Sequence, residues 1–348
     1  MTLAISINRR KEIKEAVYQI LSEYSTPQLP IKIGTIIRNI KYIKLITYSS
    51  QIKKHGISYQ ELIIDAETKD SYAVRQISTG KYCIYYNEID RSIVNSNRVR
   101  WNLAHELGHV VLKHHEIAGV EKLFREGFDN ETYLYLEEEA NYFAQLILVP
   151  HAALICFKIV TSRDIRNLCK ISDPAAKRRY YDYMEWKRNV DSQDKYDKRI
   201  FKYYFSFTFK RKCKACGVGI VQRYGKHCPI CGNKNTLEWG DGDKMKYYVP
   251  ETYEDGKLIK CPICHNEETD IEGAFCHICG SQLVNKCENP ECGNTSTLLS
   301  NARFCPYCGG RSTFFRNHIL DDYTNEFLAE YSAPEVDQEL PFVDDFYR

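Results

Sequence analysis

The 348-residue sequence predicts an α+β fold in its first half and small cysteine-rich modules in its second half. Three observations lead to this expectation. The segment HELGH, residues 105–109, lies in an apolar stretch with helical spacing. Alternating segments upstream of it, such as Lys81–Tyr86, are typical of strands. Beyond residue 212, cysteines recur in pairs at a regular spacing.

The spacing of apolar residues predicts the individual elements of the first half. Helices are expected over Arg9–Glu23, Leu29–Asn39, Arg98–Leu112, Leu136–Leu148 and Asp164–Tyr183. Strands are expected over Tyr59–Ile64, Tyr72–Ile77 and Lys81–Tyr86. The helix over 136–148 should end at Pro150, because proline removes an amide donor and does not continue a helix.

His105 and His109 are candidate metal ligands. Residues four apart share one face of a helix, so both imidazoles can reach a single ion. Glu106 lies between them and is the candidate general base that acts on a water molecule. Two histidines and a glutamate on a buried helix would be costly without a partner, and a metal ion removes that cost.

The segment EEEAN, residues 137–141, offers a third ligand. Glu139 borders the apolar stripe of the predicted helix, whereas Glu138 lies on its more polar side. Glu137 is the second candidate. We therefore expect a catalytic zinc ion held by His105, His109 and Glu139. The alternative is that all three glutamates are solvated charges near a helix N-terminus, which the helix dipole favours.

The segments NLAHELGHVVLKH and EEEANYFAQLILVP resemble the ImmA/IrrE family of metallopeptidases. The resemblance covers the first half of the chain, where both motifs occur in the family's order. It implies a zincin-like peptidase domain over residues 1–188. It also implies a cytoplasmic zinc metalloendopeptidase of the HExxH type, which acts as an anti-repressor in transcription regulation by cleaving a helix-turn-helix repressor.

Zincins use a strand beside the active-site helix to pair with an extended substrate. The segment Lys81–Asn87 is the candidate for such an exposed edge. An ordinary internal strand is an equally open interpretation of the same segment.

The cysteines of the second half form three four-cysteine units. They are Cys213, Cys216, Cys228 and Cys231; Cys261, Cys264, Cys276 and Cys279; and Cys287, Cys292, Cys305 and Cys308. Two such turns joined by a short loop make a tetrahedral structural zinc site. A disulfide framework is disfavoured because the N-terminus lacks an apolar signal core. We expect zinc ribbons over 213–231, 261–279 and 287–308, and three structural zinc ions besides the catalytic one.

Charge indicates which partners are expected. The net charge of +2 gives no strong attraction to nucleic acid or membranes, and acidic residues are mixed among the lysines of the ribbons. Target recruitment by the ribbons is therefore favoured over nucleic-acid binding. Residues 189–212 are expected to be a linker and 319–348 an acidic tail. No apolar stretch is long enough to span a bilayer.

A function of a different class remains open. The chain could be a non-cleaving zinc-containing binding protein that acts as an anti-repressor through protein or nucleic-acid contacts. The intact HELGH segment favours the enzyme, because a protein that only binds has no need of a general base at Glu106.

Overall fold

The computed structural model describes residues 5–95, 97–123, 130–155, 157, 159–189, 195–243 and 249–324. The chain divides into two compact units, Met1–Thr208 and Phe209–Arg348. Helices and short strands mix in the first unit, and the second contains the three four-cysteine clusters, which confirms the predicted α+β class with small ribbon modules. No described helix is both long enough and apolar enough to cross a membrane.

The first unit contains most of the helices. These are α1 (Ile7–Tyr24), α2 (Ile33–Asn39), α3 (Tyr48–His55), α4 (Tyr59–Ala66), α5 (Arg91–Asn95), α6 (Arg98–Val111), α7 (His114–Ala118), α8 (Asn130–Leu148), α9 (His151–Leu154), α10 (Ser162–Cys169), α11 (Asp173–Arg188), α12 (Lys195–Tyr203) and α13 (Phe205–Phe209), the last of which crosses the boundary between the units. Its strands are β1 (Ile43–Thr47), β2 (Ser71–Arg75) and β3 (Tyr82–Tyr86).

The three strands form one mixed sheet in the order β1-β3-β2. Strand β3 pairs in parallel with β1 and antiparallel with β2. The predicted strand over Lys81–Tyr86 is therefore confirmed, but the expectation that Lys81–Asn87 offers a free edge to a substrate is wrong. Strand β3 is central, so the backbone N–H and C=O groups on both of its sides already pair with β1 and β2. They are not available to pair with a substrate strand.

The segment predicted as a strand over Tyr59–Ile64 is a helix. Ser58 accepts a hydrogen bond from the backbone N–H of Glu61, and the Glu61 carboxylate accepts one from the backbone N–H of Ser58. This reciprocal capping box stabilises the first turn of α4. Leu62 and Ala66, one helical turn apart, then supply its buried face.

The described residues 195–208 belong to the first unit, although the sequence predicted a linker over 189–212. Ile200 and Tyr204 are fully buried and Phe207 is nearly so, and all three belong to the core of the first unit. Burial of these apolar side chains stabilises the first unit through its end at Thr208. The aromatic segment 201–207, which lies within the predicted linker, is thus part of the folded first unit.

The described part of the second unit consists mainly of turns around its cysteines, with few regular elements. Strands β4 (Lys210–Cys213), β5 (Gly219–Val221) and β6 (Leu237–Trp239) form a small sheet, and α14 (Thr313–Arg316) follows the third ribbon. The first residues of the expected acidic tail are packed rather than free: Leu320 is buried beside Leu258 and Leu283. Residues 325–348 of that tail lie outside the described residues.

Candidate metal centre

Three side chains from two helices converge on one point. His105 and His109 lie one turn apart on α6, and Glu137 lies on α8. The Nε2 atoms of the two histidines are 3.0 Å apart, and each lies 3.3 Å from a different Glu137 oxygen. A tetrahedral zinc ion with bonds of about 2.0 Å separates its nitrogen and oxygen ligands by about 3.3 Å. These donor atoms therefore have the spacing of a metal site.

Gly108 allows α8 to lie close to α6. A Cβ atom built on Gly108 would lie 3.2 Å from the Cα and carbonyl oxygen of Ala140 and 3.2 Å from the Phe143 ring. A larger residue would therefore push the two helices apart. Because the histidines are on one helix and Glu137 is on the other, this close approach sets the width of the candidate metal site.

The protonation of the three donors suits a cation. Burial lowers the pKa of His109 to about 3, so its ring is neutral at pH 7. Burial raises the pKa of Glu137, but hydrogen bonds from both histidines outweigh it and hold that pKa well below its usual range. Burial lowers the pKa of His105, but the Glu137 and Glu106 carboxylates and the Asn141 side chain together raise it above its usual value, and a bound cation would compete with this proton. Two imidazoles and one carboxylate are the ligand types of a catalytic zinc centre.

Glu139, the expected third ligand, has a different role in the structure. Its carboxylate accepts two hydrogen bonds from the Arg9 guanidinium, each 2.7 Å long, and lies 3.0 Å from the His114 Nε2. The structure thus corrects the preference for Glu139 over Glu137. Glu139 is indeed the more deeply buried of the two, but its carboxylate is hydrogen-bonded to Arg9 on α1. The two residues are 130 positions apart, so no local sequence pattern indicates this contact.

A chain of hydrogen bonds joins Glu139 to His109. The Nδ1 atoms of His109 and His114 lie 2.9 Å apart, and the other ring nitrogen of His114 faces Glu139. If His109 binds a metal through Nε2, its Nδ1–H donates to His114, and His114 donates through Nε2–H to Glu139. With these tautomers, each N–H group of the chain has an acceptor. Glu139 and His114 thus fix the orientation of the His109 ring.

His105 is oriented by a separate partner. Its Nδ1 lies 3.1 Å from the Oδ1 of Asn141, which leaves Nε2 directed towards Glu137. Asn141 lies four residues after Glu137 and therefore on the same face of α8. This spacing within EEEAN was a signal in the sequence that Glu137 and Asn141 act on one site.

The Glu106 carboxylate lies against strand β2. Its Oε1 accepts a hydrogen bond of 3.1 Å from Ser71 Oγ. Burial raises its pKa above the usual value, although His105, the Ser71 hydroxyl and the Ala73 backbone lower it in part. A carboxylate with a raised pKa is a better proton acceptor near neutral pH, as a general base requires.

The sulfur atoms of each ribbon lie at metal-ligand spacing. In each ribbon, the Sγ atoms of the first and fourth cysteines lie 3.7, 3.6 and 3.5 Å apart, in chain order of the ribbons. Those of the second and third cysteines lie 3.8, 3.6 and 3.8 Å apart. A disulfide needs about 2.05 Å, whereas a tetrahedral zinc centre separates its sulfurs by about 3.8 Å. Each of the predicted four-cysteine sets is therefore assembled and fits a zinc ion.

Residues 52–178 match the model of the Peptidase_M78 family, described as the IrrE N-terminal-like domain. The match contains His105, Glu106, His109 and Glu137, but neither helix α1 nor the ribbons. It confirms the resemblance to the ImmA/IrrE family over this segment. No curated protein matches the chain.

Proposed function

Residues 52–178 form an IrrE N-terminal-like peptidase domain, and from this premise we propose that the protein is a zinc-dependent endopeptidase of the HExxH type. One observation carries the proposal: His105, His109 and Glu137 converge, and the Glu106 carboxylate interacts electrostatically with His105 and Glu137. This is the arrangement of three protein ligands and a general base that metal-assisted peptide hydrolysis requires.

The mechanism divides the chemistry between a metal and the protein. Zinc held by His105, His109 and Glu137 would acidify water and polarise the scissile carbonyl. Glu106 accepts the proton of the attacking water and afterwards delivers it to the leaving amine. Ser71 keeps the Glu106 carboxylate in place during both transfers, because its hydroxyl donates to Oε1.

The substrate class is proposed from the family. A peptidase domain implies a protein substrate, and the ImmA/IrrE resemblance favours a helix-turn-helix repressor encoded near the gene. The test is to incubate the zinc-loaded protein with that repressor and to measure the masses of the products. Two fragments that sum to the repressor plus one water support endopeptidase action. An intact repressor in a stable complex favours a protein that binds without cleaving.

The first prediction concerns metal content. The purified chain should contain about four zinc ions, one in the peptidase site and one in each ribbon. Changing Cys228 and Cys231 together to serine should lower this value by about one, since zinc is not held by two thiolates alone. Elemental analysis of the protein provides the measurement. A content of about one zinc, with oxidised ribbon cysteines, would contradict the assignment of the ribbons.

The second prediction concerns recruitment by the ribbons. A chain that ends at Thr208 retains the buried Ile200, Tyr204 and Phe207 and should keep its catalytic zinc. Its kcat should stay within about twofold, while KM for the repressor should rise at least about tenfold, because a tethered docking module raises the local substrate concentration.

A short peptide that spans the cleavage site provides the control for this truncation. It is too small to reach a separate docking module, so both forms of the enzyme should cleave it equally. Equal KM values of the two forms for the whole repressor would exclude recruitment. A comparison of melting temperatures would identify any loss of stability in the shortened chain.

A further inference from the structure

The first and third ribbons pair with each other inside the second unit. The carbonyl oxygen of Pro306 accepts hydrogen bonds from the backbone N–H groups of Lys226 and His227, at 2.9 and 3.1 Å. In return, the carbonyl oxygen of Pro229 accepts from Arg303 and Phe304, at 2.8 and 3.0 Å. Each ribbon thus donates two backbone hydrogen bonds to the other and accepts two in return.

This pairing has local twofold symmetry. The two edges read KHCPICG over 226–232 and RFCPYCG over 303–309, and each contact joins position-equivalent residues. A Cβ atom on Gly232 would meet the Phe304 ring at 3.0 Å, and one on Gly309 would meet the His227 ring at 2.7 Å. Each edge therefore places an aromatic ring over the glycine of the other. Such a self-complementary surface is the kind that identical subunits use about a twofold axis.

The second ribbon has the same edge without a described partner. It reads AFCHICG over 274–280. Phe275 is 59% exposed and Ile278 is 65% exposed, and a Cβ atom on Gly280 would meet nothing within 4 Å. Among the described residues, the backbone N–H groups of Ala274 and Phe275 donate no hydrogen bond within the unit.

The residue that precedes this edge also matches. Gly225 of the first ribbon has φ +97° and lies against the backbone of Pro306. Gly273 takes the equivalent place in the second ribbon, with φ +106°, and nothing lies within 4 Å of its Cβ position. The second ribbon thus combines the glycine of the first ribbon with the phenylalanine of the third. Both parts of the pairing surface are present in one ribbon.

We propose that the edge Gly273–Gly280 of the second ribbon is a dimerisation surface, and that its partner is the same edge of a second copy of this chain. The N–H groups of Ala274 and Phe275 would donate to the His277 carbonyl oxygen of the other copy. Each Phe275 ring would cover the Gly280 of the other copy. His277 takes the place of the proline of the other ribbons, and its backbone carbonyl oxygen can accept the same pair of hydrogen bonds.

The mass of the zinc-loaded full-length chain in solution tests the proposal. An edge of this size buries little surface, so a weak dimer with a dissociation constant on the order of 10–100 µM is expected. Sedimentation across this concentration range should show a monomer–dimer equilibrium. Phe275→Glu should raise the dissociation constant at least about tenfold, because it places two carboxylates at the twofold contact.

Ile263→Glu provides the matched control. Ile263 is 60% exposed on the same ribbon but lies on its first cysteine turn, whose counterparts take no part in the four shared hydrogen bonds. This variant should dimerise like the unchanged protein. Zinc content should be the same in both variants, which shows that the second ribbon remains folded.

The location of the contact is tested by photo-cross-linking. With p-benzoylphenylalanine in place of Phe275, a mixture of isotope-labelled and unlabelled chains should form cross-links between copies near His277–Gly280. A chain that is monomeric throughout the range would overturn the proposal. So would a dimer that Phe275→Glu leaves unchanged, or cross-links that map to another surface.

Discussion

Glu106→Gln is expected to lower kcat/KM for the protein substrate by at least about 10²-fold and up to about 10⁴-fold, while zinc remains bound. Glutamine has nearly the same shape as glutamate and can still accept the hydrogen bond from Ser71, but it cannot take a proton from water. The measurement combines cleavage rates with zinc content and the melting temperature.

Ser71→Ala provides the matched comparison for this variant. It removes the hydroxyl that positions the base but leaves the base itself, so a smaller loss of rate is expected. Burial raises the pKa of Glu106, and the Ser71 hydrogen bond opposes that shift. The acidic limb of the pH–rate profile should therefore move to higher pH in Ser71→Ala. Undiminished cleavage by Glu106→Gln would remove Glu106 from the mechanism.

Glu137→Ala is expected to abolish both catalytic zinc binding and cleavage, whereas Glu139→Gln should retain the metal. Glu137 contacts the Nε2 atoms of both histidines, so its removal takes away one of three ligands. Glu139 acts on His109 through His114, and changes in such supporting groups lower metal affinity by about 10- to 100-fold. A zinc titration against a competing chelator measures both effects.

Two further readouts separate these roles. Glu138→Ala is the control on the same helix and should change neither affinity nor rate. Glu139→Gln should in addition lower the melting temperature, because it weakens a buried contact with Arg9. If Glu139→Gln loses zinc while Glu137→Ala retains it, Glu139 is the third ligand, as the sequence predicted, and Glu137 is not.

Acid should weaken the Glu139 contact in a defined range. Burial raises the Glu139 pKa, but the His114 and Arg9 hydrogen bonds hold it at about 2, below the ordinary 4.5. A carboxyl with a lowered pKa stabilises the fold above its unfolded value and loses that contribution as pH falls towards the folded value. This stabilisation is therefore complete above about pH 4.5 and declines between there and about pH 2.

The parts of the structure that depend on local sequence were predictable. The helix that contains His105 and His109 follows from apolar spacing, and the four-cysteine sets follow from the paired turns. The strand at 82–86 was recognised, but its central place in the sheet was not, because β1 joins it from a segment 35 or more positions earlier along the chain. Alternation of side chains reports that a strand exists and does not report its neighbours.

The choice between Glu137 and Glu139 shows why burial alone does not identify a ligand. The helical pattern ranked Glu139 as the more buried carboxylate, and it is. The pattern could not predict that Arg9, on helix α1, donates two hydrogen bonds to the Glu139 carboxylate. Asn141, four residues beyond Glu137, was the local clue that favoured the other choice.

Arg9 also links the N-terminal helix to the candidate metal site. It lies outside the matched segment 52–178, yet its guanidinium is the first member of the chain Arg9–Glu139–His114–His109. Two events that share such a chain are thermodynamically coupled, and the coupling is reciprocal. Detachment of α1 would weaken zinc binding, and zinc would in turn hold α1 in place by the same free energy. A proteolytic cut or a bound partner that detaches the first helix would therefore lower the affinity of the candidate site for zinc.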